Sequence, residues 1–287
     1  MLADTLHRVR REPGLHVIQR RGRGQAQWLT SRRLMLDAGG HASYHSADEE
    51  TIAVLQEGAG VFEAGGRREE VSRRSVFAER ATAMFLPSGV ELVVTAATPL
   101  EAILISAPTT RAGGTPAIVR PDQVKVNARG RAEYAREVHD IFVDDPFAER
   151  LILGETFNPP GHWSSYPPHK HDGAHGETRL EEVYHFRIDP PNGFAHQSLY
   201  TDAGESVVHC VRDGDAVILP YGYHPVAAPP GYRVYYLWAL AGERRQLAPY
   251  EDPQHRWIHT AEADGVSARV SGNPSPESRH RNLCRGQ

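Results

Sequence analysis

The feature that most limits the folds open to this chain is a strand-and-turn block that occurs twice. "ATAMFLPSGVEL" in the first half and "DAVILPYGYHP" in the second each run an apolar stretch into a Pro-x-Gly turn, so that Pro220 and Gly222 superpose on Pro87 and Gly89. Around both copies, short runs of Val, Ile, Leu, Tyr and Phe alternate with Gly, Pro and Asp turns, as in "TIAVLQEGAGVFEAGG", "LEAILISA", "LEEVYHFRI" and "YRVYYLWALAG". That rhythm marks an all-β sandwich or barrel. At 287 residues the chain has room for two such units, each with a core of its own. The expected fold is two β-barrel or jelly-roll lobes of common ancestry, at residues 1–119 and 150–262, joined by a connector at 120–149. Within the connector, Tyr134, Val138, Ile141 and Phe142 recur at helical spacing and predict a short helix over Ala132 to Phe142. Residues 263–287 are polar and rich in Gly, Ser and Pro, the composition of a flexible tail.

Charge and composition exclude several classes of function. A net charge of -4 leaves no basic footprint for nucleic acid, and no helix-turn-helix pattern is present. No apolar run approaches the length of a membrane span, and "MLADTLHRVRREPG" has no signal-peptide core, so a cytoplasmic location is expected. Cys210 and Cys284 are the only cysteines and should be reduced thiols. Histidine, by contrast, is abundant at 16 residues, and it is the commonest metal ligand.

Two of those histidines stand one residue apart in "YPPHKHD". In a strand, residues two apart share a face, so His169 and His171 address one point while Lys170 turns outward. On the next run, "LEEVYHFRI", parity divides Leu180, Glu182, Tyr184, Phe186 and Ile188 from Glu181, Val183, His185 and Arg187. The first set is the apolar, inward one, which makes Glu182 a buried carboxylate in need of a cation or strong donors. His224, closing the second Pro-x-Gly turn, is the natural fourth group. An isolated His-x-His pair is more often a solvated cross-strand pair than a ligand set. Three imidazoles and a carboxylate placed together suit a borderline divalent ion, zinc first, with manganese, iron or nickel as alternatives. The first half lacks the set: Glu91 stands where His224 would be, and its His41 and His45 are four apart. One lobe alone is expected to do chemistry.

These residues have a family likeness. His169-x-His171, Glu182, Gly214, Pro220-x-Gly222 and His224 resemble the two-motif signature of the cupin superfamily. More closely, "GETFNPPGHWSSYPPHKHD", "LEEVYHFRI", "GFAHQSLYTD", "GDAVILPYGYHPVAA" and "YEDPQHRWI" resemble the 5-deoxy-glucuronate isomerase family of myo-inositol catabolism, a relative of the ketol-isomerases of pectin breakdown. The likeness covers most of residues 1–260 and is densest from Gly154 to Ile258. Two departures from the general cupin pattern, Glu182 eleven positions after His171 and a histidine that follows Gly222 after one intervening residue, fit this subfamily.

The resemblance implies a bicupin whose metal is held by His169, His171, Glu182 and His224. It also implies aldose-ketose isomerisation of a small sugar acid, 5-deoxy-D-glucuronate, without a redox cofactor. For proton transfer and substrate binding the sequence offers Tyr184, on the Glu182 face, and either Gln197 or His196, which face opposite ways on the following strand. Gln197 lies on the more apolar face, and His196 is the better base. The grip on the substrate carboxylate stays open: Arg187 and Lys170 are both expected outward, which leaves a strand bulge, a basic residue from the first lobe or a neighbouring subunit, or neutral donors. A symmetric dimer is expected for an enzyme of this size. The rivals are a metal-dependent dioxygenase and a non-enzymatic sugar-acid-binding protein with a structural metal.

Overall fold

Hydrophobic alternation resolves into antiparallel strands throughout residues 1–260, which are those described by the computed structural model of the chain. Contacts divide the chain into Met1–Asp252 and Pro253–Gln287. Of the second unit, the described part carries one 3-10 turn, Arg256–His259. The tail expected at 263–287 lies outside the described residues. Among those residues no helix is long and apolar enough to cross a membrane.

The first lobe is built on the strand order Ala117–Val119, Ala83–Leu86, Glu49–Ala64, Leu100–Pro108, Thr30–Leu36 and Gly14–Gln19. Its longest strand, Glu49–Ala64, passes an irregularity between Leu55 and Glu57 and then pairs with Arg67–Arg73 and Leu92–Ala96. One strand thereby serves both walls of a barrel, as bulges at barrel corners permit. The second lobe repeats the plan. Leu6–His7, Ala216–Leu219, Leu180–Asp189, Arg233–Gly242, Ile152–Asn158, Arg136–Phe142 and Lys125–Arg129 form one sheet. Trp163–Ser164, Val226–Ala227, Ala195–Tyr200 and Ser206–Val211 form the other. The first residues of the chain thus complete the second lobe's sheet.

The helix expected over Ala132 to Phe142 is replaced by a 3-10 turn, Ala132–Tyr134, followed by the strand Arg136–Phe142. The reason is a register shift between Asp140 and Phe142. Val138 packs into the second barrel, whereas Ile141 and, past the shift, Phe142 both join the apolar layer between the lobes. A bulged strand buried on two faces imitates helical spacing.

Three apolar cores result. One fills the first barrel with residues such as Leu34, Phe62, Met84 and Leu104. Another lines the second barrel with Leu180, Phe186, Ile188 and Leu199. The third lies between the lobes, where Ile52, Val54, Phe85 and Ile105 meet Leu153, Val183, Tyr235 and Leu237. Each such side chain contributes roughly 1.5–3 kcal/mol relative to exposure, so the lobes share a core of domain quality.

Polar groups fix the lobes' register. Thr51 pairs with Leu86 just before Pro87, and Glu182 pairs with Leu219 just before Pro220. Glu50 and Glu181 are therefore equivalent positions, and each captures three consecutive backbone N–H groups. Glu50 accepts from residues 149, 150 and 151 at 2.7–2.8 Å, and Glu181 from Gln27, Trp28 and Leu29 at 2.5–3.1 Å. The same superposition puts Thr51 in the first lobe where Glu182 stands in the second. Arg73 of the first lobe and Glu155 of the second add a fully buried bidentate ion pair, with bonds of 2.8 and 3.1 Å.

Candidate metal centre

Four polar side chains converge inside the second barrel. His169 lies on a two-residue strand that pairs with Tyr250–Glu251, and His171 follows it by two positions. Glu182 projects from the central strand Leu180–Asp189, next to Leu219. His224 follows the turn at Pro220, where Gly222 takes a φ of +84°, as Gly89 takes +79° in the first lobe. In that left-handed region a Cβ is disfavoured, and at Gly222 it would also meet the Tyr200 carbonyl at 2.6 Å.

One ring nitrogen from each of His169, His171 and His224 lies within 4.8 Å of the others. Glu182 Oε2 stands 3.3 Å from His224 Nε2 and 3.8 Å from His171 Nε2. The tautomer of His224 is set by its other nitrogen: Nδ1–H donates to the Gly222 carbonyl at 3.0 Å, which leaves a lone pair on Nε2. An acceptor therefore faces a carboxylate oxygen in a buried setting, and neither His224 Nε2 nor Glu182 Oε2 has a hydrogen-bond partner. Two facing acceptors out of water call for a proton or a metal cation between them, and the group could hold an ion. Burial, with the neighbouring His224 adding to it, holds the His169 imidazole down at about 3. Burial and the other two rings push His171 well below its ordinary value. Burial also pushes the Glu182 carboxyl up, the direction a divalent ion would reverse. Neutral imidazoles beside a carboxylate are a donor set that fits zinc, manganese, iron or nickel.

Of the other residues singled out from sequence, Tyr184 lines the same cavity, of about 420 Å³. Its ring stacks on Tyr236 with centroids 4.3 Å apart, and its hydroxyl shares a 2.8 Å hydrogen bond with Ser165. Gln197 is completely buried, but its Nε2 donates to the backbone carbonyls of His224 and Pro225 at 2.8 and 3.3 Å. It holds the His224 turn in place. His196 is exposed, packs edge-on against Phe194 and is on the face of its strand opposite Gln197, away from the barrel interior.

The two basic residues considered for the substrate carboxylate are already engaged. Lys170 does turn away from its flanking histidines, yet it is 2% exposed and not solvated. Its ammonium is bonded to Asp202 at 2.6 Å and lies 5.2 Å from the Tyr223 ring centroid. A second layer made by Tyr223 and Tyr250 covers that strand face. Arg187 sits in the lobe interface against Asp213, Glu101 and Glu57. The cavity instead presents Arg129 and Arg136. The connector composition and helical spacing of 120–149 conceal both; as a strand, Arg136, Val138 and Asp140 share one face. A larger groove of about 610 Å³ near Phe77, Arg80 and Phe157 meets this cavity at Arg136, which lines both, and among the described residues it holds no cluster of three metal-ligating groups.

Among the described residues, the two barrels define a bicupin fold, with three histidines and a glutamate gathered in its second lobe. The chain belongs to the KduI/IolB family, whose model matches residues 6–258. It is 39% identical over 220 residues to a protein of Geobacillus thermodenitrificans (strain NG80-2) named 5-deoxy-glucuronate isomerase, covering 74% of this chain and 79% of that one. The protein of the same name from Bacillus subtilis (strain 168) is 38% identical over 193 residues, 65% of this chain and 70% of that one. Among solved structures, an IolB-like protein from Salmonella typhimurium LT2 superposes with a TM-score of 0.84 at 32% identity, covering 89% of this chain and 99% of the other. An oxalate decarboxylase from Lactobacillus farciminis shares the fold, with a TM-score of 0.61 at 13% identity over 95% of this chain and 93% of its own.

Proposed function

We propose that this protein is a metal-dependent 5-deoxy-glucuronate isomerase, converting the open-chain aldose 5-deoxy-D-glucuronate into 5-dehydro-2-deoxy-D-gluconate. The observation that carries this reading is the convergence of His169, His171, His224 and Glu182, three of which, His169, His171 and Glu182, line a cavity of about 420 Å³. That volume falls within the range of small-molecule sites, and the relatives named above support the choice of reaction.

The reaction moves the carbonyl from C1 to C2. A proton leaves C2 and one arrives at C1, the O2 proton is lost and O1 gains one, so nothing is oxidised or reduced overall. His169, His171, Glu182 and His224 would hold a divalent ion, which would supply Lewis-acid stabilisation of the charge developing on the substrate, worth several kcal/mol. Zinc heads the candidates for a site of three nitrogens and one oxygen. Tyr184 stays protonated, because burial first and the Glu182 charge second push its hydroxyl pKa far up. It therefore acts as a hydrogen-bond donor to a substrate oxygen and not as a base. Gln197 acts through His224, as a positioning residue. Tyr236, Trp238 and Leu240 close the wall and exclude water, which strengthens every electrostatic contact inside.

The test is incubation of metal-analysed protein with 5-deoxy-D-glucuronate in oxygen-free deuterated water, with the carbonyl carbons followed by NMR. The ketone is expected to appear, to be abolished by a chelator and to return with one added divalent ion. An unchanged aldehyde with a fully loaded site, or conversion that requires oxygen, would overturn the reading.

A further inference from the structure

Arg129 and Arg136 are direct cross-strand partners in the antiparallel pair Lys125–Arg129 and Arg136–Phe142. Like charges placed opposite one another destabilise a strand pair, so such an arrangement calls for an anion. Both side chains line the cavity that holds His169, His171 and Glu182. Arg136 is partly buried, and Nη1 donates to the Tyr134 carbonyl at 3.1 Å. Arg136 lines the same cavity as His169, Tyr184 and Tyr236.

Among the described residues, no ion pair is found for either guanidinium. The nearby acid on the same strand face, Asp140, is taken up by Asn127 at 2.8 Å. This sets the pair apart from Lys170 and Arg187, each satisfied by two or three carboxylates. A partly desolvated arginine backed by a second, with no internal counter-ion, at the wall of a ligand cavity is an anion subsite.

We infer that Arg136, backed by Arg129, binds the carboxylate of a uronic acid whose carbonyl end is directed at the three-histidine cluster. The inference rests on the proposed isomerase reading for the direction of the substrate. The subsite also makes a claim independent of turnover, that the cavity selects acids over neutral polyols of the same length.

Two experiments on the metal-loaded full chain separate the two. In calorimetry, the wild type is titrated with D-gluconate, an acid with no carbonyl to isomerise, and with neutral D-glucitol. Preference for gluconate in the wild type, falling roughly 10–100-fold in Arg136→Met and partly restored in Arg136→Lys, supports the subsite. Arg129→Met, at an exposed position, is expected to weaken gluconate binding in the same direction by a smaller factor. Equal binding of acid and polyol by the wild type, or gluconate binding unaffected in both methionine variants, overturns it. In kinetics, KM for 5-deoxy-D-glucuronate should rise in Arg136→Met with metal content unchanged. An unchanged KM overturns the subsite while the isomerase reading stands. Selective, Arg136-dependent gluconate binding by a wild type that turns over nothing overturns the isomerase reading while the subsite stands.

Discussion

Replacing Glu155 by Gln tests how the two lobes are held together. Arg73 and Glu155 come from different lobes, are both without solvent exposure, and share two bonds of 2.8 and 3.1 Å. Tyr235 adds a third bond to Glu155, at 2.8 Å. Burial, the largest single influence, would push the Glu155 carboxyl up, but Arg73, His139 and Tyr235 together outweigh it and the net shift is downward. Burial would likewise lower Arg73, and Glu155 together with Tyr235 outweighs it. Both directions describe a pair that is ionised when folded. Glutamine keeps one acceptor oxygen, loses the charge and turns an amide N–H₂ toward the guanidinium. At about 1.5–3 kcal/mol per charge-assisted bond, and with an uncompensated buried cation left behind, the expected cost is about 3–5 kcal/mol. For a chain of this size that lowers Tm by on the order of 10 °C. The double substitution Arg73→Met with Glu155→Leu should cost less than the single one, because no buried charge remains. Its residual loss of about 1–2 kcal/mol reflects the Leu55 and Glu79 carbonyls, which Arg73 also serves. Urea unfolding followed by fluorescence measures both. A single-variant cost below about 1 kcal/mol, or a double variant equal to the sum of its parts, would refute the reasoning.

Gln197→Met should leave the fold intact but weaken divalent-ion binding by about 10-fold, the lower end for groups that orient a ligand. Competition against a metal-sensitive dye measures this, and an unchanged affinity would remove Gln197 from the site. His185 is fully buried, and burial together with Arg33 holds it down at about 3. A histidine depressed in the folded state contributes stability that is complete above its unfolded value near 6.5 and lost as pH falls from there toward 3. The single group should steepen the acid limb by about 1.4 kcal/mol per pH unit in that window. Unfolding curves of wild type and His185→Leu that stay parallel from pH 6.5 to 4 would contradict this. His196→Ala, at an exposed position outside the barrel, should leave both kcat and stability unchanged within about 0.5 kcal/mol, and a large loss of turnover would return it to the mechanism.

What sequence made legible depended on how locally each signal was encoded. Strand parity alone separates Glu182 from Glu181, because alternation is a local property, and both residues prove to be buried for different reasons. Glu182 faces its own barrel, whereas Glu181 captures backbone amides of the other lobe. The second role needs a partner surface 150 residues away and has no local signature. For the same reason Lys170 and Arg187 read as solvated: their counter-charges come from elsewhere in the chain, Asp202 and Asp213 from turns and Glu101 from a strand of the first lobe. The segment Arg136–Phe142 misled because a bulge and two buried faces produce the spacing of a helix. Misreading it hid Arg136, since face assignment follows from the choice of period. The repeated Pro-x-Gly turn was fully legible, because a left-handed φ at Gly89 and Gly222 leaves little choice of residue.

The central claim is that His169, His171, Glu182 and His224 hold the ion on which turnover depends. Its most direct test is elemental analysis and isomerase assay on the same dialysed samples of wild type and His224→Ala, with circular dichroism as the control for folding. The account predicts about one divalent ion per chain and turnover in the wild type, with both lost in a folded His224→Ala. Full turnover by His224→Ala after chelation and dialysis would contradict it.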